Sequence, residues 1–464
     1  MLIKFQNLGA LLQGEFELGE FTIICGKNNT GKTYATYALF GFFSFWRETF
    51  PIKIPEKYVE ELLTDGTTAL SIQEFVDDAD NIIQQGCKAY TKFLPTVFAS
   101  SSKNFSDTIF EVFIDKKDIQ PVPEFFRQIG SAKGHLFSIE KKKDQNTITV
   151  SLLVEKEKFR ISREMIVRTA GDAIKDIIFG NLFSNPFIAS AERTGAAIFR
   201  KELNLARNRL LEELSTLDKE VNPFELLTKV YSDYALPVKN NVDFTRQLED
   251  VSKKDSFIIE QHPEIIADLY DIIGGKYTVT KDDDLYFVPK GKRIKLSMDE
   301  SSSAVRSLLD IGFYLRHVAK PGDLLIVDEP ELNLHPENQR RIARLFTRLI
   351  NIGIRVFITT HSDYIIKELN TLIMLNQDKP HIKEIAEKEK YHPNEFISPN
   401  CVKVYIAEMA LIKLEGKTKR SRCQTLTKGD VDPELGIEAK SFDTTIDEMN
   451  RIQEEIIWGE SDDE

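Results

Sequence analysis

The sequence predicts an α/β fold with a mixed, largely parallel core sheet and a largely helical insertion. Three stretches predict it: "FTIIC" running into "GKNNTGKT", then "LLIVDEPELNLHPENQRRIARL", then "RVFITTHSDYI". In each, a short apolar run turns polar at its C-terminal end and leads into a helical pattern. That order is expected of strands and crossover helices in a parallel layer. Ligands of such sheets bind where the strands end, so the three polar turns are expected to meet.

Composition narrows the class. A chain of 464 residues has room for two or three domains. The net charge of −12 excludes a surface that is basic all over, so any nucleic-acid contact needs a local patch. Cys25, Cys87, Cys401 and Cys423 are scattered and form no C-x-x-C pair. They read as reduced thiols of a cytoplasmic protein. The N-terminal "MLIKFQNLGALLQGEF" lacks the form of a signal peptide. The most apolar stretch, "YALFGFFSFW" (37–46), is about half the length a membrane helix needs, so it reads as a buried helix and no membrane partner is expected.

The elements follow in order. "FTIIC" (21–25), bounded by Gly19 and Gly26, is a buried strand, and a helix starts at about Thr33. "TITVSLLVEKEKFRI" (147–161) is hairpin-like, and "NPFIASAER" (185–193) reads as a strand. Residues 196–220 space Ile198, Leu203, Leu210 and Leu214 along one face of a long helix. "YTVTKDDDLYFVP" (277–289) is a hairpin with aspartates at its turn. From Ser301 the pattern is helix, strand, helix, strand. The expected boundaries are an N-terminal lobe (1–50), a mostly helical insertion with a small β element (51–275), a second lobe (276–375) and a C-terminal α+β part (376–464). Within that last part, Asp443 is expected to cap an amphipathic helix carrying Ile446, Met449, Gln453 and Ile456.

The first polar turn carries phosphate chemistry. Residues Gly26, Lys27, Asn28, Asn29, Thr30, Gly31, Lys32 and Thr33 fit G-x-x-x-x-G-K-[ST] between a strand and a helix. Gly26 and Gly31 let the backbone curl so that successive N–H groups point at phosphate oxygens. The helix N-terminus adds positive potential. Lys32 supplies a full charge to the β- and γ-phosphates, and the Thr33 hydroxyl is suited to Mg²⁺. ATP and Mg²⁺ are therefore the expected cofactors.

The second and third turns complete the set. Asp328 closes "LLIVD" and is placed to bind the same Mg²⁺, directly or through water. Glu329, one residue on, is placed to orient or deprotonate a water attacking the γ-phosphate, although D-E pairs also cap helices. "TTHS" brings His361 to the same edge, within reach of the γ-phosphate. A serine cluster, Ser301 to Ser303, opens the helix before Asp328. It is either an anion site or an ordinary helix cap.

On "GKNNTGKT", "ESSSAVRSLLDIGFYL", "LLIVDEPELNLHPENQRRIARL" and "VFITTHSDYIIKELN", the chain resembles OLD-type ATPases of the RecF/SMC branch of ABC proteins. The resemblance implies an ABC-type P-loop ATPase head. Lys32 and Thr33 would belong to Walker A, Asp328 and Glu329 to Walker B, Asn333 to Pro336 to the D-loop, and His361 would be the switch histidine. Ser302 and Ser303 would provide the signature hydroxyls, where transporters and SMC proteins carry glycine. Two heads would then sandwich ATP in a homodimer or a higher even-numbered homo-oligomer. "FIASAERTG" is similar to a segment before a helical insertion, with no definite role for Glu192 or Arg193.

Many OLD proteins continue into a TOPRIM nuclease, for which the residues after Asn370 are too few. A stand-alone ATPase of this kind resembles the ATPase subunits of anti-phage systems such as Septu or PARIS, and the expected function is a sensor that controls a separate nuclease effector. A RecF-like DNA-binding repair ATPase is the alternative. A transporter cassette fits poorly, because most of the chain separates Lys32 from Asp328. "KLEGKTKRSR" (413–422) gathers Lys413, Lys417, Lys419, Arg420 and Arg422 as either a nucleic-acid or acidic-partner contact or a solvated hairpin turn.

Overall fold

The computed structural model describes residues 1–131, 134–153, 162–200, 234–280, 284–437 and 448–456. The strands are β1 (Leu2–Leu8), β2 (Leu11–Glu17), β3 (Phe21–Cys25), β4 (Thr67–Ser71), β5 (Ile109–Phe113), β6 (Phe125–Ser131), β7 (Gly134–Lys141) and β8 (Thr147–Leu152). They continue with β9 (Pro186–Ala189), β10 (Gly275–Val279), β11 (Leu285–Pro289), β12 (Leu296–Ser297), β13 (Leu324–Asp328), β14 (Arg355–Thr360), β15 (Val402–Lys413) and β16 (Arg420–Gly429).

A 6-stranded sheet in the order β16-β15-β3-β14-β13-β9 organises the molecule. All neighbours are parallel except β16, which returns antiparallel on β15. Every residue of β3 and β13 is buried. Their side chains alternate between two cores. Ile24, Leu324, Ile326 and Phe357 join one core with the helix α1 (Lys32–Thr49). Ile23, Leu325, Val327 and Ile358 join the other, with the helices Pro336–Asn351 and Asp363–Met374. A strand covered on both faces needs no polar alternation, which explains the continuous apolar runs. Each fully buried Ile or Leu contributes about 1.5–3 kcal/mol.

The stretch 37–46 is interior to α1, which buries Phe40, Phe42, Phe43 and Trp46. The Phe42 ring packs against Tyr90, Phe110 and Phe183. The helix stops at Phe50, whose extended backbone is what a following proline, Pro51, demands. No described helix is long and apolar enough to cross a membrane.

The segment 51–275 holds more β structure than the small element expected. It carries a 4-stranded antiparallel sheet, β4-β8-β7-β6. It also supplies β5, which pairs with β1 beside β2, so residues 1–50 do not form a lobe on their own. These strands are short, and several alternate buried and exposed positions over only five or six residues, too short a run for periodicity to stand out. The hairpin expected at 147–161 is instead β8, paired with β4 and β7; residues 154–161 lie outside the described ones. Of the long helix expected over 196–220, residues 196–200 are described, the helix Arg193–Ile198 covering the first three of them, and 201–233 lie outside. The 277–289 hairpin forms, with Val279 opposite Leu285. In the C-terminal helix, 448–456 are helical and 438–447 lie outside. The basic stretch 413–422 forms the β15–β16 hairpin tip, where Lys413 pairs across from Arg420.

Candidate functional site

Parallel register sets the site. Cys25 lies opposite Thr360, and Asp328 opposite Thr359, so β3, β14 and β13 all end at one edge of the sheet. The residues that follow are the phosphate loop, the pair Asp328–Glu329 and His361.

In the loop, Gly26 has φ 145° and a Cβ there would lie 2.5 Å from the Ala407 carbonyl oxygen of β15. Gly31, with φ 95°, begins α1. Only glycine fits either place. The Thr30 hydroxyl donates to Lys27 O at 2.8 Å, and the Gln424 amide of β16 donates to Thr30 O at 2.9 Å. The loop is thus braced from within and from the sheet edge. Among the described residues, no backbone N–H of Lys27–Thr33 is taken by a protein acceptor. That row of open donors is an anion cradle. Lys32 is buried and donates its ammonium to Gly26 O (2.9 Å) and Lys27 O (2.8 Å). Burial pushes its pKa below the ordinary lysine range, while Glu329, Asp328 and Glu331 pull it back up.

Asp328 is 1 % exposed. The Thr359 hydroxyl donates to its Oδ1, whereas Oδ2 is buried without a partner among the described residues. Burial, with the negative charge of Glu329 added, pushes this carboxyl up to about 6. A buried carboxylate oxygen left open calls for a cation, and Mg²⁺ fits. The Thr33 hydroxyl is likewise free of protein partners among the described residues. None of those residues forms a protein-only cluster of His, Cys, Asp and Glu able to hold a metal. Mg²⁺ suits such a sparse donor set, because it keeps waters and phosphate oxygens in its shell.

Glu329 adopts a left-handed backbone, φ 51°, fixed by its N–H donating to Thr359 O at 3.1 Å. Its side chain is partly exposed. His361 Nδ1 lies 3.7 Å from Glu329 Oε1 but 3.1 Å from Glu331 Oε1. Glu331 was not singled out from the sequence. It is 7 % exposed and accepts from Thr360 Oγ1 (2.9 Å) and His361 N (2.7 Å). Burial pushes its carboxyl up, and the His361 backbone N–H opposes that. The only sequence signal was the repeated acid in "DEPE", which reads as turn chemistry.

Arg193 has a definite place after all. It is 1 % exposed and donates to Ser190 O (2.8 Å), Ser307 O (2.7 Å), Asp328 O (2.7 Å) and Glu329 O (2.9 Å). It ties the acidic turn to β9 and to the serine helix. Its neighbour Glu192 accepts from the Tyr37 hydroxyl of α1 at 2.8 Å. The serines themselves stand apart from the chain's own phosphate loop. Ser302 is exposed and caps the helix Ser303–Ser307 by accepting from Val305 N at 3.3 Å. Ser301 is buried and donates to Ser297 O at 2.7 Å. None of Ser301, Ser302 and Ser303 forms a hydrogen bond with Gly26–Thr33. Asn333 is exposed, with φ 60°.

A glycine-rich loop after β3, a buried lysine and an acid-ended strand two places along the same parallel sheet define a P-loop nucleotide-binding protein of the α/β class. The family AAA_15, AAA ATPase domain, matches residues 1–366, and the chain belongs to it. No curated protein matches the chain. Among solved structures, it is similar to an SMC head bound to the C-winged helix domain of ScpA, at 12 % identity and TM-score 0.32, over 92 % of this chain and 97 % of that one. It is also similar to the SMC head domain from Thermotoga maritima, at 10 % identity and TM-score 0.29, over 93 % and 98 %. A third is the SMC head with an extended coiled coil, bound to the C-terminal domain of ScpA derived from Pyrococcus furiosus, at 12 % identity and TM-score 0.28, over 97 % and 98 %.

Proposed function

We propose that the protein is an ATP-hydrolysing switch of the OLD type, acting as a homodimer or a higher even-numbered oligomer. In this reading it is the sensor subunit of an anti-phage system and controls a separate nuclease. One observation carries the catalytic part: Lys32, Asp328, Glu329 and His361 all issue from one sheet edge. Triphosphate oxygens would replace the Gly26 and Lys27 carbonyls as acceptors of the Lys32 ammonium and fill the open N–H row. Mg²⁺ bound at Asp328 and Thr33 would supply charge to the β- and γ-phosphates. Glu329 orients the attacking water and takes its proton. His361 hydrogen-bonds the γ-phosphoryl.

The exposed Ser302 and Asn333, unused by the chain's own loop, support completion of each site by a partner head. ATP would then favour the closed assembly and hydrolysis would release it. The defence role rests on the motif resemblance and on the acidic net charge, which suits a protein partner better than a DNA backbone.

Glu329→Gln tests the mechanism. It should bind ATP within about 3-fold of wild type, lose about 10²–10⁴-fold in turnover and accumulate as a dimer in size-exclusion chromatography with light scattering. Wild-type turnover would remove Glu329 from the reaction. A pull-down from the native host with and without infection tests the role. A co-purifying nuclease supports it; tight, salt-sensitive DNA binding with no protein partner would favour a repair ATPase instead.

A further inference from the structure

We infer that Glu331 is the positioning residue for His361: its carboxylate holds the ring by Nδ1–H and leaves the Glu329 carboxylate free for water. This deepens the hydrolytic reading above and rests on it.

The geometry separates the two acids. Glu331 Oε1 receives the Thr360 hydroxyl at 2.9 Å and the His361 N–H at 2.7 Å, and lies 3.1 Å from His361 Nδ1. At that distance a lone pair on Nδ1 would face a negative oxygen whereas an N–H there is attracted to it, so the charge of Glu331 favours the Nδ1–H form. Glu329 Oε1, at 3.7 Å from the same nitrogen, is beyond hydrogen-bond range. Glu331 is also the better fixed of the two. Its side chain is 6 % exposed against 25 % for Glu329, and its carboxylate accepts the two bonds just given, whereas that of Glu329 accepts none among the described residues. The ring's second nitrogen, Nε2, forms no hydrogen bond among the described residues, on a side chain 42 % exposed. Holding the ring by Nδ1 therefore makes Nε2 the nitrogen available to the γ-phosphoryl or its water. The outer partner of a working histidine commonly sets tautomer and orientation in this way.

The competing role for Glu331 is purely structural, as acceptor for the Thr360 and His361 main-chain turn. Two measurements tell them apart. The first is ¹⁵N NMR of the imidazoles in histidine-labelled, nucleotide-free full-length protein, with His361 assigned by its loss in His361→Gln. Wild type and Glu331→Gln, which keeps a side-chain oxygen acceptor, should show His361 protonated at Nδ1. Glu331→Leu should move the proton to Nε2. Should the leucine variant fail to fold, Glu331→Ala serves the same purpose with a smaller change. An unchanged tautomer in the folded variant overturns the inference.

The second is ATP turnover. Glu331→Leu should lower kcat about 10–100-fold with little change in KM, Glu331→Gln should recover most of it, and Glu331→Leu combined with His361→Ala should be no slower than His361→Ala alone. Losses that multiply in the double variant would assign Glu331 a separate structural role. The NMR experiment needs no turnover. An inactive wild type would sink the hydrolytic reading and leave the tautomer result standing by itself.

Discussion

The phosphate loop and the acidic edge beside it would both place charge next to a bound triphosphate, but they are built by opposite means. The loop is one contiguous stretch, Gly26 to Thr33, and its donors are main-chain N–H groups plus Lys32. The acidic edge is assembled across strands: Thr359 of β14 holds Asp328 of β13, and Glu331 holds His361 after β14. The loop depends on local backbone geometry, while the edge depends on register between strands. Damage to the first should weaken binding. Damage to the second should alter chemistry while leaving binding largely intact.

Lys32→Ala should show the largest effect. Removing a charged donor from a buried phosphate site costs about 2–3 kcal/mol, so ATP affinity should fall about 30–150-fold by calorimetry. Near-normal affinity would mean that the N–H cradle suffices without the lysine.

Asp328→Asn comes next and tests the acidic edge through stability. The folded carboxyl is pushed from 3.8 up to about 6, so the folded state holds the proton more tightly than the unfolded chain. Its favourable contribution is complete below about pH 3.8 and is lost as pH rises through about 6. Asparagine stays neutral and can still accept from Thr359. The nucleotide-free variant should therefore melt higher than wild type at pH 7.5, with the gain shrinking toward pH 4, while ATP still binds and Mg²⁺-dependent turnover is lost. A lower melting point at pH 7.5 would show that Asp328 is paired in the apo protein.

Gln424→Ala should be the mildest. It removes one neutral hydrogen bond to Thr30 O, worth about 0.5–1.5 kcal/mol. KM for ATP should rise about 2–10-fold with kcat nearly unchanged. A matching fall in kcat would mean that β16 reaches the chemistry as well as the loop.

The contrast also explains what could be read from residues in order. "GKNNTGKT" is legible because its chemistry is local: two glycines, a lysine and a helix start at fixed spacing. Asp328, Glu329 and His361 were legible because each stands where a short apolar run turns polar. Glu331 and Arg193 were not, because their roles exist only through carbonyls and amides brought from other strands. The 4-stranded sheet within 51–275 escaped notice for a related reason: its short strands carry little periodicity alone and are defined by their partners.

The sequence by itself determined the parallel α/β core, the phosphate loop and the acids at a strand end. These follow from local backbone geometry and from apolar runs that must be covered on both faces. Only the tertiary structure decided which carboxylate holds His361, that a buried arginine clips the acidic turn to the serine helix, and that β16 braces the loop. Those contacts span distant stretches of the chain, and strand register, which no local pattern encodes, chooses among the candidates.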